Sequence, residues 1–355
     1  MSSWDRALPI LADHSADAMI VRDTANIRYL TGYTNDTGVL VIAKDGFAGL
    51  ITDFRFLFQA KAEAKDCEVF DVAGTSYSEL IGRILAGHGA EKVAFERETT
   101  KYNEYEAMVK NCPQELIPVD NILIELRKVK TTEELAKLRR AEHIGDLAFE
   151  RILGDIRPGV TELEIAAKLT YYMCMEGASG NSFPPIVASG VNSSMPHAMP
   201  GSRAFREGDF ITMDFGCVYD GYCSDMTRTV VLGECSPEME KIYNIVLEAQ
   251  LAGIATAKAG VPGCDVHNAA AKVIEDAGYG EYFGHGFGHG VGLEIHELPS
   301  AAPAWKKPLE PGHVISAEPG IYLPGKYGVR IEDVIVITEN GNQNITKAEK
   351  KLIKL

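Results

Sequence analysis

At 355 residues, 46 % of them hydrophobic, the chain is long enough for about two ordinary domains without disulfide staples. The net charge of -15 argues against a nucleic-acid groove as the main business, because phosphate binding needs concentrated Lys and Arg. The seven cysteines are odd in number and scattered, no run approaches the ~18 apolar residues of a membrane span, and the polar opening over residues 1–6 lacks a secretion-signal pattern, so a cytoplasmic protein with no membrane segment is expected.

From residue 18 to 95, the short apolar runs 18–21, 38–42, 48–51, 69–72 and 92–95 alternate with polar, Gly-containing breaks and predict the strands of an α/β domain. Leu80, Ile81, Ile84 and Leu85 share one helical face over 78–86, and residues 102–109 predict another helix before Pro113. This third shows no catalytic constellation, and His14 and His88 read as surface residues.

From residue 126 the pattern changes. Thr131 or Thr132 offers an N-cap ahead of Glu133 and Glu134, and Leu135, Leu138, Ala141, Ile144, Ala148 and Ile152 recur three or four apart, predicting an amphipathic helix to about residue 152. Its basic neighbours Arg127, Lys128, Lys130, Lys137, Arg139 and Arg140 are interleaved with Glu133, Glu134 and Glu142, which reads as a solvated helix face. The expected domain boundary precedes this helix, giving domains 1–127 and 128–355. Thr161 with Glu164 forms a capping box for the next helix, to about Met175. Ile186, Val187 and Ala188 predict a strand that leads into a polar loop carrying His197. Further helices are expected over 237–258 and 266–277. Helices on one side of strongly paired strands give the fold class α+β.

The chemistry concentrates in two hairpin-like stretches. Residues 210–216 and 222–231 flank Asp220-Gly221, a dipeptide that favours a tight hairpin turn. With that turn, position 214 pairs with 227 and 216 with 225. Asp214 and Asp225 are then diagonal neighbours on one face, roughly 7–8 Å apart at the backbone. Two solvated strand carboxylates would need an exposed face, which Phe210, Met213, Phe215 and Met226 make hard to define; a shared metal ion is the favoured reading. Residues 314–318 and 329–336 repeat the pattern around Pro324 and Gly325, and a loop centred on Gly325 sets Glu318 opposite Glu332. Between the hairpins, residues 284–292 hold His285 and His289 at a glycine density that excludes a regular helix. No strand–loop–helix context supports reading them as a nucleotide loop. Asp214, Asp225, Glu318 and Glu332 with a neutral His289 balance two divalent cations and suit hard or borderline ions such as Mn, Co, Fe or Zn. Two such ions acidify a shared water and polarise a carbonyl.

The strings Met213-Asp214-Phe215-Gly216, Ser224-Asp225-Met226-Thr227-Arg228-Thr229, the run from Gly288 to Glu297, Ser316-Ala317-Glu318-Pro319-Gly320 and Val329-Arg330-Ile331-Glu332-Asp333 resemble the signatures of the prolidase and aminopeptidase P branch of the M24 "pita-bread" metallopeptidases. Asn26-Ile27-Arg28-Tyr29-Leu30-Thr31-Gly32 resembles that branch's creatinase/prolidase N-terminal domain. The resemblance implies a pita-bread catalytic domain behind a creatinase/prolidase-like α/β domain, and a homodimer. It also implies that Asp214 chelates one ion and His289 and Glu318 the other, with Asp225 and Glu332 bridging. His197 and His296 match the family's two non-ligand histidines, which bind the substrate carbonyl or carboxylate, and Glu318 matches its proton carrier. Arg330 is expected to hydrogen-bond a ligand carboxylate, and His285 either lines the site or makes a structural hydrogen bond.

An Xaa-Pro bond is a tertiary amide whose proline has a fixed φ and no N–H, so it defeats a strand-type grip on the substrate. A compact metal site walled by Phe183 and Tyr222 avoids that requirement. The expected reaction is hydrolysis of the bond between a first residue and a following proline in a short peptide. A methionine-type or broader aminopeptidase shares the ligand set, but the extra N-terminal domain and His296-Glu297-Leu298-Pro299 fit the proline branch better. A non-catalytic binding module would have lost ligands or histidines.

Overall fold

The computed structural model describes residues 3–120 and 122–355; Met1 and Ser2, the start of the polar opening, lie outside them. The chain divides into two compact units at Arg127/Lys128.

The first unit is built on β1 (Ala18–Val21), β2 (Val39–Ala43), β3 (Ala48–Thr52), β4 (Glu68–Asp71), β5 (Lys92–Glu96) and β6 (Glu115–Val119), in sheet order β4-β3-β2-β1-β5-β6. β1 to β3 pair antiparallel, while β1 with β5, β5 with β6 and β3 with β4 are parallel. Every residue of β1 is buried because helices cover both faces. Met19 and Val21 enter the core containing Ile27 and Leu30, whereas Ala18 and Ile20 enter the opposite core with Ile81 and Leu85. The helix Tyr77–Gly87 starts on a capping box between Ser76 and Glu79. β6 was not legible in the sequence, since Pro118 removes a ladder donor; the structure tolerates it because β6 is an edge strand.

The second unit opens with the helix Thr132–Ile152, capped by Thr131 and Glu134 in a reciprocal box. The helix Glu162–Met175 follows, with the Thr161–Glu164 box. Both pack on β7 (Phe210–Phe215) and β8 (Met226–Val231), around Ile144, Phe149, Leu169, Met213 and Val230. The helices Pro237–Thr256 and Gly263–Asp276 likewise share a core with Ile315, Ile321, Val329 and Ile335 of the second hairpin. A pair of helices buries one face of each hairpin.

The solvated-face reading of the basic cluster is corrected here. Glu134 and Glu142 are buried in the helix, and Lys130 Nζ is 2.7 Å from Glu297 Oε1 with both side chains 1 % exposed. Arg127 is also buried, its Nη1 donating to Asn26 Oδ1 within the first unit. Glu142 stands four residues after Leu138 and seven after Leu135, on the apolar stripe rather than opposite it, and that spacing was the missed signal.

Candidate metal centre

Both hairpins are broken beside acidic residues, the first at Asp225 and the second at Glu318 and Glu332, while Asp214 stays in a regular ladder. β7 and β8 pair Asp214 with Thr227, the expected register, and Asp220 and Gly221 both take positive φ in the turn. Between the ladder and the tip, Gly216 and Ser224 leave regular pairing. A Cβ at Gly216 would lie 1.9 Å from Ser224 O, so only glycine lets the two strands touch there. Asp225 follows directly, its backbone N–H donating to Glu142 Oε1 at 2.9 Å.

In the second hairpin β9 (Val314–Ala317) pairs with β12 (Asp333–Thr338), and β10 (Gly320–Leu323) with β11 (Tyr327–Arg330). The flanking pairs Ala317↔Asp333 and Gly320↔Arg330 put Glu318 and Glu332 in the unpaired step between two ladders. Pro319 offers no N–H there. The N–H of Glu332 crosses instead to Thr227 O at 3.1 Å, and the N–H of Glu318 to Phe287 O at 2.8 Å, tying hairpin to hairpin and to the glycine run. That run contributes the short strand Gly288–Gly290, which lies against β9; a Cβ at Gly288 would meet Ser316 O at 2.0 Å. Close backbone approach thus explains the glycines around His289.

Side chains from these breaks converge on one cavity of about 500 Å³. Ligand-type atoms of Asp225, His289 and Glu332 all lie within 4.8 Å of one another. His289 Nε2 is 3.2 Å from Glu318 Oε1 and 3.4 Å from Asp225 Oδ2, while its Nδ1 faces Gly290 O at 3.1 Å. Arg330 Nη2 donates to Asp214 Oδ2 at 2.5 Å and Thr227 Oγ1 to Glu332 Oε2 at 2.6 Å. The other oxygens, Asp214 Oδ1 and Glu332 Oε1, are buried without a hydrogen-bond partner among the described residues. Buried acceptors of this kind are costly unless a cation or proton meets them.

The electrostatics point the same way. Burial, then the neighbouring carboxylates, pushes Asp225 and Glu332 well above the usual carboxylate range, and burial raises Asp214 against the pull of Arg330. Burial also works on Glu318, but the hydrogen bond and charge of His289 outweigh it and hold that carboxyl at about 2. Burial alone would lower His289; Glu318 raises it instead. An anionic cluster under this much strain fits divalent cations, and the oxygen and imidazole donors fit borderline ions.

The remaining expected residues divide. His197 and His296 line the cavity and are exposed to it, the His296 ring standing 4.4 Å from that of His289. His285 also lines it, with Nε2 3.1 Å from Tyr322 Oη, and burial lowers the pKa of both His285 and His296. Phe183 forms part of the wall. Tyr222 does not: its hydroxyl donates to Glu134 Oε1 at 2.9 Å, and its ring packs with Leu138 and Val291 outside the cavity. The hairpin turn places it on the helix-covered side of the strand. Tyr322 was missed. Its hydroxyl accepts from Arg330 Nη1 at 2.8 Å and faces His285, a junction no spacing in the sequence announces because the broken strand after Glu318 hides the period.

Residues 136–339 match metallopeptidase family M24, and residues 4–129 match the creatinase/prolidase N-terminal domain. The chain belongs to family M24. It is 42 % identical over 342 residues to an uncharacterized peptidase of Bacillus subtilis strain 168, covering 96 % of each chain. Among solved structures it is similar to an Xaa-Pro dipeptidase from Bacillus anthracis, with TM-score 0.97, 42 % identity and 99 % of both chains covered. It is also similar to an X-Pro aminopeptidase from Thermotoga maritima MSB8, with TM-score 0.91 and 36 % identity over 99 % of this chain and 100 % of that one. This M24 chain therefore has a creatinase-like amino-terminal domain and a metallopeptidase catalytic domain in one mixed α/β architecture. No helix among the described residues is long and apolar enough to cross a membrane.

Proposed function

We propose that this M24 chain hydrolyses the bond between an N-terminal residue and a following proline in short peptides, with the catalytic domain starting at Lys128. The observation that carries the proposal is the meeting of four carboxylates and His289 in the lining of one cavity, with buried oxygens of Asp214 and Glu332 lacking partners among the described residues. In this reading Asp214, Asp225, His289, Glu318 and Glu332 would hold two divalent ions, which would be Mn, Co, Zn or Fe. When bound, such ions supply the positive charge that polarises a carbonyl and acidifies water.

The chain's own groups do the rest. With Nδ1–H donated to Gly290 O, His289 presents Nε2 to the cluster in one tautomer. Arg330 fixes Asp214 by Nη2, while its Nη1 and Nε are held by Tyr322 Oη and Thr227 Oγ1. Glu318, ionised and oriented by Ser316 Oγ at 3.0 Å, is the carrier that takes the proton of the attacking water to the leaving proline nitrogen. His197 and His296 stand at the open side, where they hydrogen-bond the oxygen on which charge develops. Phe183, Pro184 and Ile186 give the proline ring an apolar wall. The chain acts in the cytoplasm as a homodimer.

Turnover of an Xaa-Pro dipeptide, an Xaa-Pro-Xaa tripeptide and the matching Xaa-Ala peptides tests the reading. Both proline peptides should release the first residue, and the alanine peptides should be cleaved at least about tenfold more slowly. Equal cleavage of Ala and Pro peptides would replace it with a general aminopeptidase.

A further inference from the structure

The first unit carries a cavity of its own, of about 550 Å³, that the peptidase reading leaves unused. It opens where the sheet changes direction. β1 and β5 are adjacent and parallel, yet β1 is followed by the strands on one side of it and β5 by β6 on the other. The helices after them pack on opposite faces: Ile27 and Leu30 of Thr24–Thr31 join Met19 and Val21, whereas Met108 of Tyr102–Asn111 joins Ile20 and Phe95. A crevice outside the carboxyl ends of two such strands is where open α/β sheets bind ligands. The lining follows that rule, with Arg22 directly after β1, Thr99 and Lys101 after β5, and Asp36, Tyr77 and Glu104 beside them.

Among the described residues, two donors in this cavity lack an acceptor. The Arg22 side chain is 15 % exposed, with Nε buried and unbonded, and Tyr77 Oη, with the Thr52 hydroxyl near it, is buried without a partner at hydrogen-bond distance. Arg22 Nη1 reaches Glu104 Oε1 only at 3.3 Å, and the other oxygen of Glu104 accepts from the N–H of Lys101. Burial pushes the Arg22 guanidinium down from its ordinary value, so its desolvation is not fully offset. Both donors call for acceptor oxygens from whatever enters the cavity. The lining also has two signs, Arg22 and Lys101 against Asp36 and Glu104. A bare anion would face two carboxylates, and a bare amine would face two cations. A molecule with a carboxylate at one end and an ammonium at the other meets both, and the volume lies in the range of small-molecule sites.

We infer that this cavity is a second ligand site, for a zwitterion the size of a free amino acid or dipeptide, with its carboxylate on Arg22 and Tyr77 and its ammonium toward Asp36. The inference stands on the first unit alone and does not rest on the peptidase reading. Isothermal titration of the full chain with L-leucine, acetate, ethylamine and inorganic phosphate tests it, using the unmodified protein, Arg22→Met, Tyr77→Phe and Asp225→Asn. L-leucine should bind saturably and at least about tenfold more tightly than the other probes. Arg22→Met and Tyr77→Phe should each weaken it about tenfold or more, and Asp225→Asn should leave it unchanged. Tyr77→Phe keeps the ring and removes only the hydroxyl, so it decides the matter should Arg22→Met fail to fold. Absence of L-leucine binding, acetate or phosphate binding as tight as L-leucine, or loss of binding in Asp225→Asn with retention in Tyr77→Phe would overturn the inference; the last would place the ligand in the metal cavity.

Discussion

Asp214 and Glu332 each commit one carboxylate oxygen to a neighbour and keep the other buried without one among the described residues, and that asymmetry gives the cluster its chemical sense. His197 differs from these residues: it lines the cavity but belongs to no group of converging ligand atoms among the described residues. His197→Ala should therefore lower kcat by about 10²–10³ while metal content, read by atomic emission, stays unchanged. Loss of metal instead would make His197 a ligand. In the first unit, Asp17 has a different task. Its Oδ2 accepts the N–H groups of Glu91 and Lys92, and Lys44 pairs with Oδ1. The Lys44 hydrogen bond, then those two N–H groups, holds its carboxyl at about 2 against an ordinary 3.8. A depressed carboxylate lends stability that is complete above the ordinary value and lost as pH falls through the folded one. Urea unfolding should show the gap between the unmodified protein and Asp17→Asn closing between about pH 4 and pH 2, and a gap that stayed constant would remove Asp17 from acid unfolding. Acidic residue types and their spacing were readable from the chain, whereas side-chain direction was not. Tyr222 and Tyr322 show why: each ring's destination depends on which element covers its strand, Glu134 of a helix for one and Arg330 of the neighbouring strand for the other.

The hairpins work because they break. An unbroken ladder from Val314 to Val336 would pair Glu318 and Glu332 as ordinary strand neighbours. The interruption frees the N–H of Glu332 to bond Thr227 O and turns the acids of both hairpins toward one place. Gly216 is the matching device in the first hairpin, and Gly216→Ala should cost about 1–3 kcal/mol or more through collision with Ser224 O. Urea unfolding would reveal it, and a change under ~0.5 kcal/mol would show that the strands can separate there. Much of this level was legible beforehand. The Asp-Gly turn set the 214–227 register, the Thr161-x-x-Glu164 box fixed one helix start, and the stripe from Leu135 to Ile152 gave the long helix, with its N-cap left between Thr131 and Thr132. The short helix Leu57–Glu63 and strand β6 were missed, since one has fewer than two full apolar turns and the other contains proline. The burial of Glu142 was missed because an acidic residue type outweighed its position on the stripe. Its cost is visible in its carboxyl, which burial pushes up to about 8.

Across the chain, a net charge of -15 is partly a consequence of gathering carboxylates that divalent ions are expected to neutralise. The division into an α/β unit and a helix-backed pair of hairpins separates two jobs: the first unit supplies a sheet with a crevice at its switch point, and the second holds the acids. Without cations the second unit retains a cluster whose members raise one another's pKa values, so metal binding and folding are linked. The most direct test is melting of one sample before and after exhaustive chelation, with Xaa-Pro turnover read on the same material and again after Mn or Co is restored. The melting temperature should fall by about 5–10 °C on chelation, the shift expected when ions at roughly a hundred times Kd are withdrawn, and turnover should vanish and return with the metal. Unchanged melting together with full turnover after chelation would contradict a metal centre built from Asp214, Asp225, His289, Glu318 and Glu332.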